Sequence, residues 1–219
     1  LHPRVRRQRQ MCIRDRSGAA TVNQIFFIVN QLALSIGNAL VAICSQYWGK
    51  QETGAIRKMT GVALALSVLI GAIVVTACTC IPEQLLRIFT TSPEIIAEGK
   101  AYLGLLKWTF LLFMISNLLI AMLRSVETVK ISFVISVVSL ITNGCINYTL
   151  IFGHFGFPEM GIQGAAVGTL TARMLELLII VVYIWKIDTK VRLFDINLFR
   201  TIFLPENRNC LLYTSDAAD

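Results

Sequence analysis

Asn143 and Asn147, in the stretch TNGCINYTL, interrupt a run from Ile131 to Phe152 that is otherwise apolar. Four residues apart, they stand one turn from each other on one face of a helix. Amide oxygens are ligands for a hard cation such as Na⁺, and an amide can also orient a neighbouring carboxylate. The other use of such a pair is as hydrogen-bonding glue between helices. A second polar constellation lies in GAATVNQIFFIVNQLALSIGNAL, where Gln24, Gln31 and Asn38 recur every seven residues with Asn23 and Asn30 beside them. They form a stripe several turns long, which facing lipid would leave amides unpaired and therefore faces other helices or a wet cavity. A third is charged: Arg173 and Glu176, in TARMLELLII, are three apart and can pair on one helix face. A structural ion pair and a proton-linked role are both open to them.

Other chemistry finds little material. His2 and His154 are the two histidines, and the latter sits in the short segment GHFGFPEMG, where an ordinary solvated histidine is expected. Cys78 and Cys80 make a C-x-C pair without the further ligands that a zinc site needs, and with Cys44 and Cys145 they read as small apolar filler. No Ser–His–Asp set, H-E-x-x-H pair or glycine-rich phosphate loop can be assembled, so the expectation is no enzyme, no cofactor and no metal site of these kinds.

The elements that must carry these residues follow from composition. Hydrophobic residues make up 55% of the 219, charged residues 15%, and the mean hydropathy is +0.67. This is the composition of a membrane protein. Five stretches reach the roughly 20 apolar residues that cross a bilayer: about Gly18–Tyr47, Met59–Ile81, Ala101–Met122, Ile131–Phe152 and Gly164–Trp185. With no water to satisfy backbone groups, they are predicted to be helices, giving an all-α integral membrane fold. Gly164 and Gly168, like Ala33 and Gly37, are small-xxx-small pairs suited to close helix approach. Lys107 is within two turns of a span end and can snorkel. Asn147-Tyr-Thr matches a glycosylation acceptor but lies at membrane depth.

Both ends of the chain are expected to be foreign to it. One encoding of Arg6–Arg16 has a reverse complement that, read one base in, translates as Cys210–Asp219 without a mismatch. That relationship is one of DNA, matching a sequencing-library adaptor translated once in each direction, so residues 1–16 and 210–219 are set aside as non-native. They hold six of the 20 Lys and Arg and three of the 13 Asp and Glu, and 17–209 carries +4 rather than +7. So small an excess gives no argument for nucleic acid. The gene is expected to continue at both ends.

Loop charges set the orientation. Lys50, Arg57 and Lys58, then Arg124 and Lys130, then Lys186, Lys190, Arg192 and Arg200 fall in alternate loops. The intervening ones carry Arg87 and Lys100 among Glu83, Glu94 and Glu98, or no Lys or Arg at all. By the positive-inside tendency, segments 48–58, 123–130 and 186–209 are cytoplasmic, and the first span runs from outside to inside.

The run GFPEMGIQGAAVGTLTAR, preceded by NYTLIFG, resembles the loop-to-helix signature of the MATE family of multidrug and toxin efflux transporters. SQYWGKQE is similar to that family's turn after the second helix, and IPEQLLRIF followed by AYL resembles its third-to-fourth connection. The resemblance covers nearly all of 17–209. It implies the second to sixth helices of a twelve-helix, two-lobe transporter, the first helix and the second lobe being absent. It also implies alternating access, with cationic or amphipathic drugs leaving in exchange for Na⁺ or H⁺. The family's first-lobe cation site falls on Asn143 and Asn147, with Thr169 added from the sixth helix and Gln24, Gln31 and Asn38 as further cavity candidates. Some members carry Asp at the second asparagine position; Asn147 cannot titrate. RSVETVK departs from the family's Arg-Gly-x-Gly-Asp-Thr form. Two other readings stay open: a flippase of lipid-linked precursors from the same superfamily, which is expected to line its cavity with several Arg, and a non-transporting membrane scaffold.

Overall fold

The computed structural model describes the backbone of residues 3–153, 160–187 and 191, with side chains from Ser17 onward except that of Ile162. His154, most of the GFPEMG motif, the basic residues Lys190, Arg192 and Arg200, and the segment 210–219 lie outside the described residues. The described residues form six helices: α1 (Pro3–Gly49), α2 (Thr53–Cys80), α3 (Pro82–Arg87), α4 (Pro93–Ser125), α5 (Val129–Phe152) and α6 (Gly161–Lys186). Five are long and apolar enough to cross a bilayer: Ser17–Gly49, Thr53–Cys80, Pro93–Ser125, Val129–Phe152 and Gln163–Lys186. The described residues contain no strand. The all-α, five-span expectation holds.

Where the helices differ from the apolar stretches, local chemistry accounts for it. α4 starts at Pro93 rather than near Ala101, because Pro93 suits a first helical position and Glu94 lies in the first turn. α3 was not expected as a helix. Its six residues begin with Pro82 and Glu83 and end with Arg87, a charge order that favours even a short turn of helix. α1 is continuous from Pro3, so part of the segment set aside on coding grounds is helical.

The two connections at one end of the bundle are built alike. After α1, the Glu52 N–H donates to the Tyr47 carbonyl at 3.0 Å; after α4, the Thr128 N–H donates to the Leu123 carbonyl at 3.0 Å. These are the long closing bonds of Schellman motifs, which require a left-handed residue just past the helix. Here those residues are Gln51 (φ 59°) and Glu127 (φ 60°), and neither is glycine.

α4 is the central element, packed by α1, α2 and α6, while α5 lies mainly against α6. Its buried side chains run along most of its length, from Ile96 and Tyr102 to Met122 and Leu123. Toward the α3 end, Val22, Ile25, Val29 and Ala33 of α1 meet Leu103, Leu106, Phe110 and Met114. Phe26 stacks on Phe110 with ring centroids 6.0 Å apart. Toward the opposite end, Leu40 and Cys44 of α1 and Ile180 and Ile184 of α6 close on Leu118, Met122 and Leu123. Asn117 fixes α4 against α1, its Nδ2 donating to the Ala33 carbonyl at 2.9 Å. That carbonyl belongs to the small-residue pair Ala33 and Gly37, whose lack of bulk lets the donor reach the backbone.

Candidate functional site

α5 carries Ser139, Asn143 and Asn147 at intervals of four, one polar row on a helix whose other residues are mostly apolar. The Asn147 Nδ2 donates to the Asn143 Oδ1 at 2.7 Å, so the two amides stack along the helix as the spacing predicts. Asn147 Oδ1 is buried and has no hydrogen-bond partner. It lies against Gly168 of α6, in the space that a Cβ on that residue would take. One turn away, a Cβ on Gly164 would lie 2.9 Å from the Leu150 carbonyl. The small-xxx-small pair therefore brings the α5 and α6 backbones together, and in doing so sets the amide of Asn147 into the seam.

Asn143 and Asn147, expected as a pair of cation ligands, lie side by side along α5. One amide oxygen receives the neighbouring NH₂ and the other is turned toward α6. They bond to each other rather than converging. Thr169, next to Gly168, bonds its hydroxyl back to the Ala165 carbonyl at 2.9 Å, within its own helix.

About 12 Å along the seam from Asn147, eight residues at 1.5 Å each, is a second polar station. The Arg173 Nη1 donates to the Glu176 Oε2 at 2.5 Å, making the expected ion pair. Glu176 is only 4% exposed. The Ser139 hydroxyl crosses from α5 to donate to the same Oε2 at 3.0 Å. The Arg173 guanidinium lies 4.9 Å from the ring centroid of Phe113 on α4, within cation–π range. Three helices thus meet on one charged pair. Ser139 and Phe113 were not singled out by sequence; Ser139 had a signal, since it extends the row of the two asparagines by one turn.

The α1 stripe is disposed otherwise. Gln24, Gln31 and Asn38 are exposed, on the side of the helix opposite Val22, Val29, Ala33 and Leu40. They make no hydrogen bond to the α5 pair, and the five other described helices leave them uncovered. Charge at the α3 end is also paired. Lys100 Nζ meets Glu83 Oε1 at 3.0 Å on an exposed surface, and this hydrogen bond holds the Glu83 carboxyl below its ordinary range. Lys107 donates to Thr79 Oγ1 at 3.1 Å.

Comparison with known proteins gives a consistent result. Residues 15–149 match the MatE family. The chain is 30% identical over 161 residues to the probable multidrug resistance protein NorM of Rhizobium meliloti, an alignment covering 74% of this chain and 34% of that protein. It is 29% identical over 171 residues to the probable multidrug resistance protein NorM of Thermotoga maritima, covering 78% and 37%. The chain therefore spans about a third of the length of these curated relatives. Among solved structures, it is similar to a multidrug resistance MATE family transporter of the MOP superfamily in an inward-facing conformation. The TM-score is 0.75 at 17% identity, over 86% of this chain and 44% of that one. An outward-facing structure of such a transporter gives 0.73 at 18% identity, over 85% and 42%. Five bilayer-length helices and these matches together assign the chain: it is a multi-pass membrane protein and belongs to the MATE family.

Proposed function

We propose that this chain is most of the first lobe, helices two to six, of a secondary antiporter that exports cationic or amphipathic drugs or metabolites in exchange for Na⁺ or H⁺. The reading rests above all on the α1 stripe: amides more than a helical turn apart, all exposed on the face away from the core. In a bilayer that face is costly against lipid and suits a water-filled cleft shared with a second lobe. Asn143 and Asn147 line the same lobe as oxygen donors. Asn147 Oδ1, a buried acceptor without a hydrogen bond, is of the kind a hard cation takes up. The protein is then a transporter and not an enzyme, works without a cofactor, and keeps the turns at 48–58 and 123–130 and the segment 186–209 on the cytoplasmic side. Its remaining partners are the lipid bilayer, an earlier helix and the second lobe of the same polypeptide.

A flippase for anionic lipid-linked precursors is less well supported. Within the described spans, Arg173 is the arginine at mid-depth, and its charge is already met by Glu176.

The test uses the full-length gene in bacteria lacking their own efflux pumps, with ethidium accumulation as the readout and surface abundance measured alongside. Asn143→Ala and Asn147→Ala are each expected to lower efflux per molecule by about tenfold, the usual scale for losing a group that shapes an ion site. Normal drug resistance with both changes present sinks the assignment. Lower abundance with unchanged efflux per molecule instead makes the pair helix-to-helix glue.

A further inference from the structure

We propose that Glu176 is a proton-binding site, a group at which this lobe takes up and releases H⁺ during the transport cycle. The inference deepens the antiporter reading and rests on it. Within the described spans, the other carboxylates, Glu94 and Glu98, lie in the first turns of α4. Glu176 stands about 22 Å from the first residue of α6 and about 15 Å from the last. It is the one carboxylate of the described residues at mid-membrane depth. The amides of Asn143 and Asn147 can hold a cation but cannot carry a proton.

The surroundings of Glu176 serve both of its charge states. The groups bonded to it are Ser139 from α5 and Arg173 on α6, and Arg173 in turn lies over Phe113 of α4. Of these, Arg173 alone is charged. With Glu176 ionised, Oε2 accepts from Arg173 and from the Ser139 hydroxyl. On protonation an O–H bond forms at the carboxyl at the expense of one in hydronium, and the pair goes from net zero to +1. The Ser139 hydroxyl can then turn and accept from the new O–H, since it is both donor and acceptor. Arg173, losing its counter-ion, keeps the Phe113 ring face beneath it, an attraction that is larger away from water. A fixed N–H donor in place of Ser139 has no lone pair to offer the acid. The same hydroxyl lies one turn from Asn143, so a change at Glu176 reaches the amide pair along a single helix face.

The deciding experiment reconstitutes the full-length transporter in phosphatidylethanolamine–phosphatidylglycerol vesicles and follows ethidium movement under an imposed pH gradient and, separately, a Na⁺ gradient. In the wild type, the pH-driven rate is expected to change by up to about tenfold per pH unit on one limb, as for a single titrating group. Glu176→Gln keeps the shape and the acceptor oxygen, and is expected to flatten that profile to within about twofold. Glu176→Asp should restore part of it. A Gln variant with the wild-type profile, at full or uniformly reduced rate, overturns the proposal and leaves Glu176 a structural pair. A wild type driven by Na⁺ alone also overturns it while leaving the antiporter reading intact, whereas a wild type that moves no cation removes that reading itself. Should the Gln variant fail to fold, the infrared carbonyl stretch of a buried carboxylic acid decides. A band in the wild type whose pH midpoint moves in Ser139→Ala is expected, and a midpoint that stays in place overturns the assignment.

Discussion

Asn147 shows how much of a site rests on a residue that does no chemistry. Its side chain occupies the space where any residue but glycine at 168 would place a Cβ. Gly168→Ala therefore forces the amide to rotate or the α5–α6 seam to open, an overpacking cost of about 1–3 kcal/mol. The full-length variant is expected to lose ion-driven ethidium efflux while Gly144→Ala, where a Cβ meets nothing within 4 Å, retains it. Equal efflux in the two variants contradicts the role given to the seam. Spacing alone placed Asn143 and Asn147 on one face, and Arg173 beside Glu176, because both are properties of a single helix. It could not give the direction of the Asn147 amide or the reach of Ser139 to Glu176. Those depend on the register between two helices, which is set by Gly164 and Gly168 meeting the end of α5.

At the scale of elements, hydropathy made the five spans legible and left their ends obscure, since a helix continues past its apolar part as long as its backbone and caps allow. The Schellman turns are a case where the usual signal was absent: glycine at the left-handed position would have marked the end of α1 and α4, and the chain carries Gln51 and Glu127 instead. A left-handed non-glycine costs about 1–2 kcal/mol, and glycine gives back part of that through its freer unfolded chain. Gln51→Gly and Glu127→Gly are each expected to stabilise the protein by about 0.5–1 kcal/mol, read as a later thermal unfolding transition in detergent. A lower transition in either refutes the strain. The short α3 is anchored by the buried Leu86, and the exposed pair of Glu83 with Lys100 adds a small contribution to it. Glu83 is lowered from its ordinary 4.5, so its folded value lies below its unfolded one. Such a group contributes stability that is complete above 4.5 and lost as pH falls through the folded value. Hydrogen exchange at α3 should accordingly quicken on acidification below 4.5, and Glu83→Gln should remove that dependence while leaving α4 unchanged.

For the molecule as a whole, the family match ends at residue 149 while the run GFPEMGIQGAAVGTLTAR begins later, so two separate parts of the chain point the same way. What the whole arrangement adds is a distinction among exposed faces. α1 exposes Gln24, Gln31 and Asn38 among the apolar Phe27, Ile28 and Leu32, whereas α2 exposes Leu66, Leu69 and Ile73. In a bilayer these two faces call for different neighbours: hydrocarbon suits the second and leaves the amides of the first unpaired. The proposed cleft between lobes would give the first face water. The difference can be read in the full-length transporter with Cys44, Cys78, Cys80 and Cys145 replaced, and a single cysteine placed at Gln31 or at Ile73. A membrane-impermeant maleimide is expected to label Gln31→Cys, with a rate that depends on the side of addition and on substrate, and to leave Ile73→Cys unmodified. If Gln31→Cys resists labelling from both sides, the stripe is buried against protein or lipid, and the amides of α1 lose their place in a transport pathway.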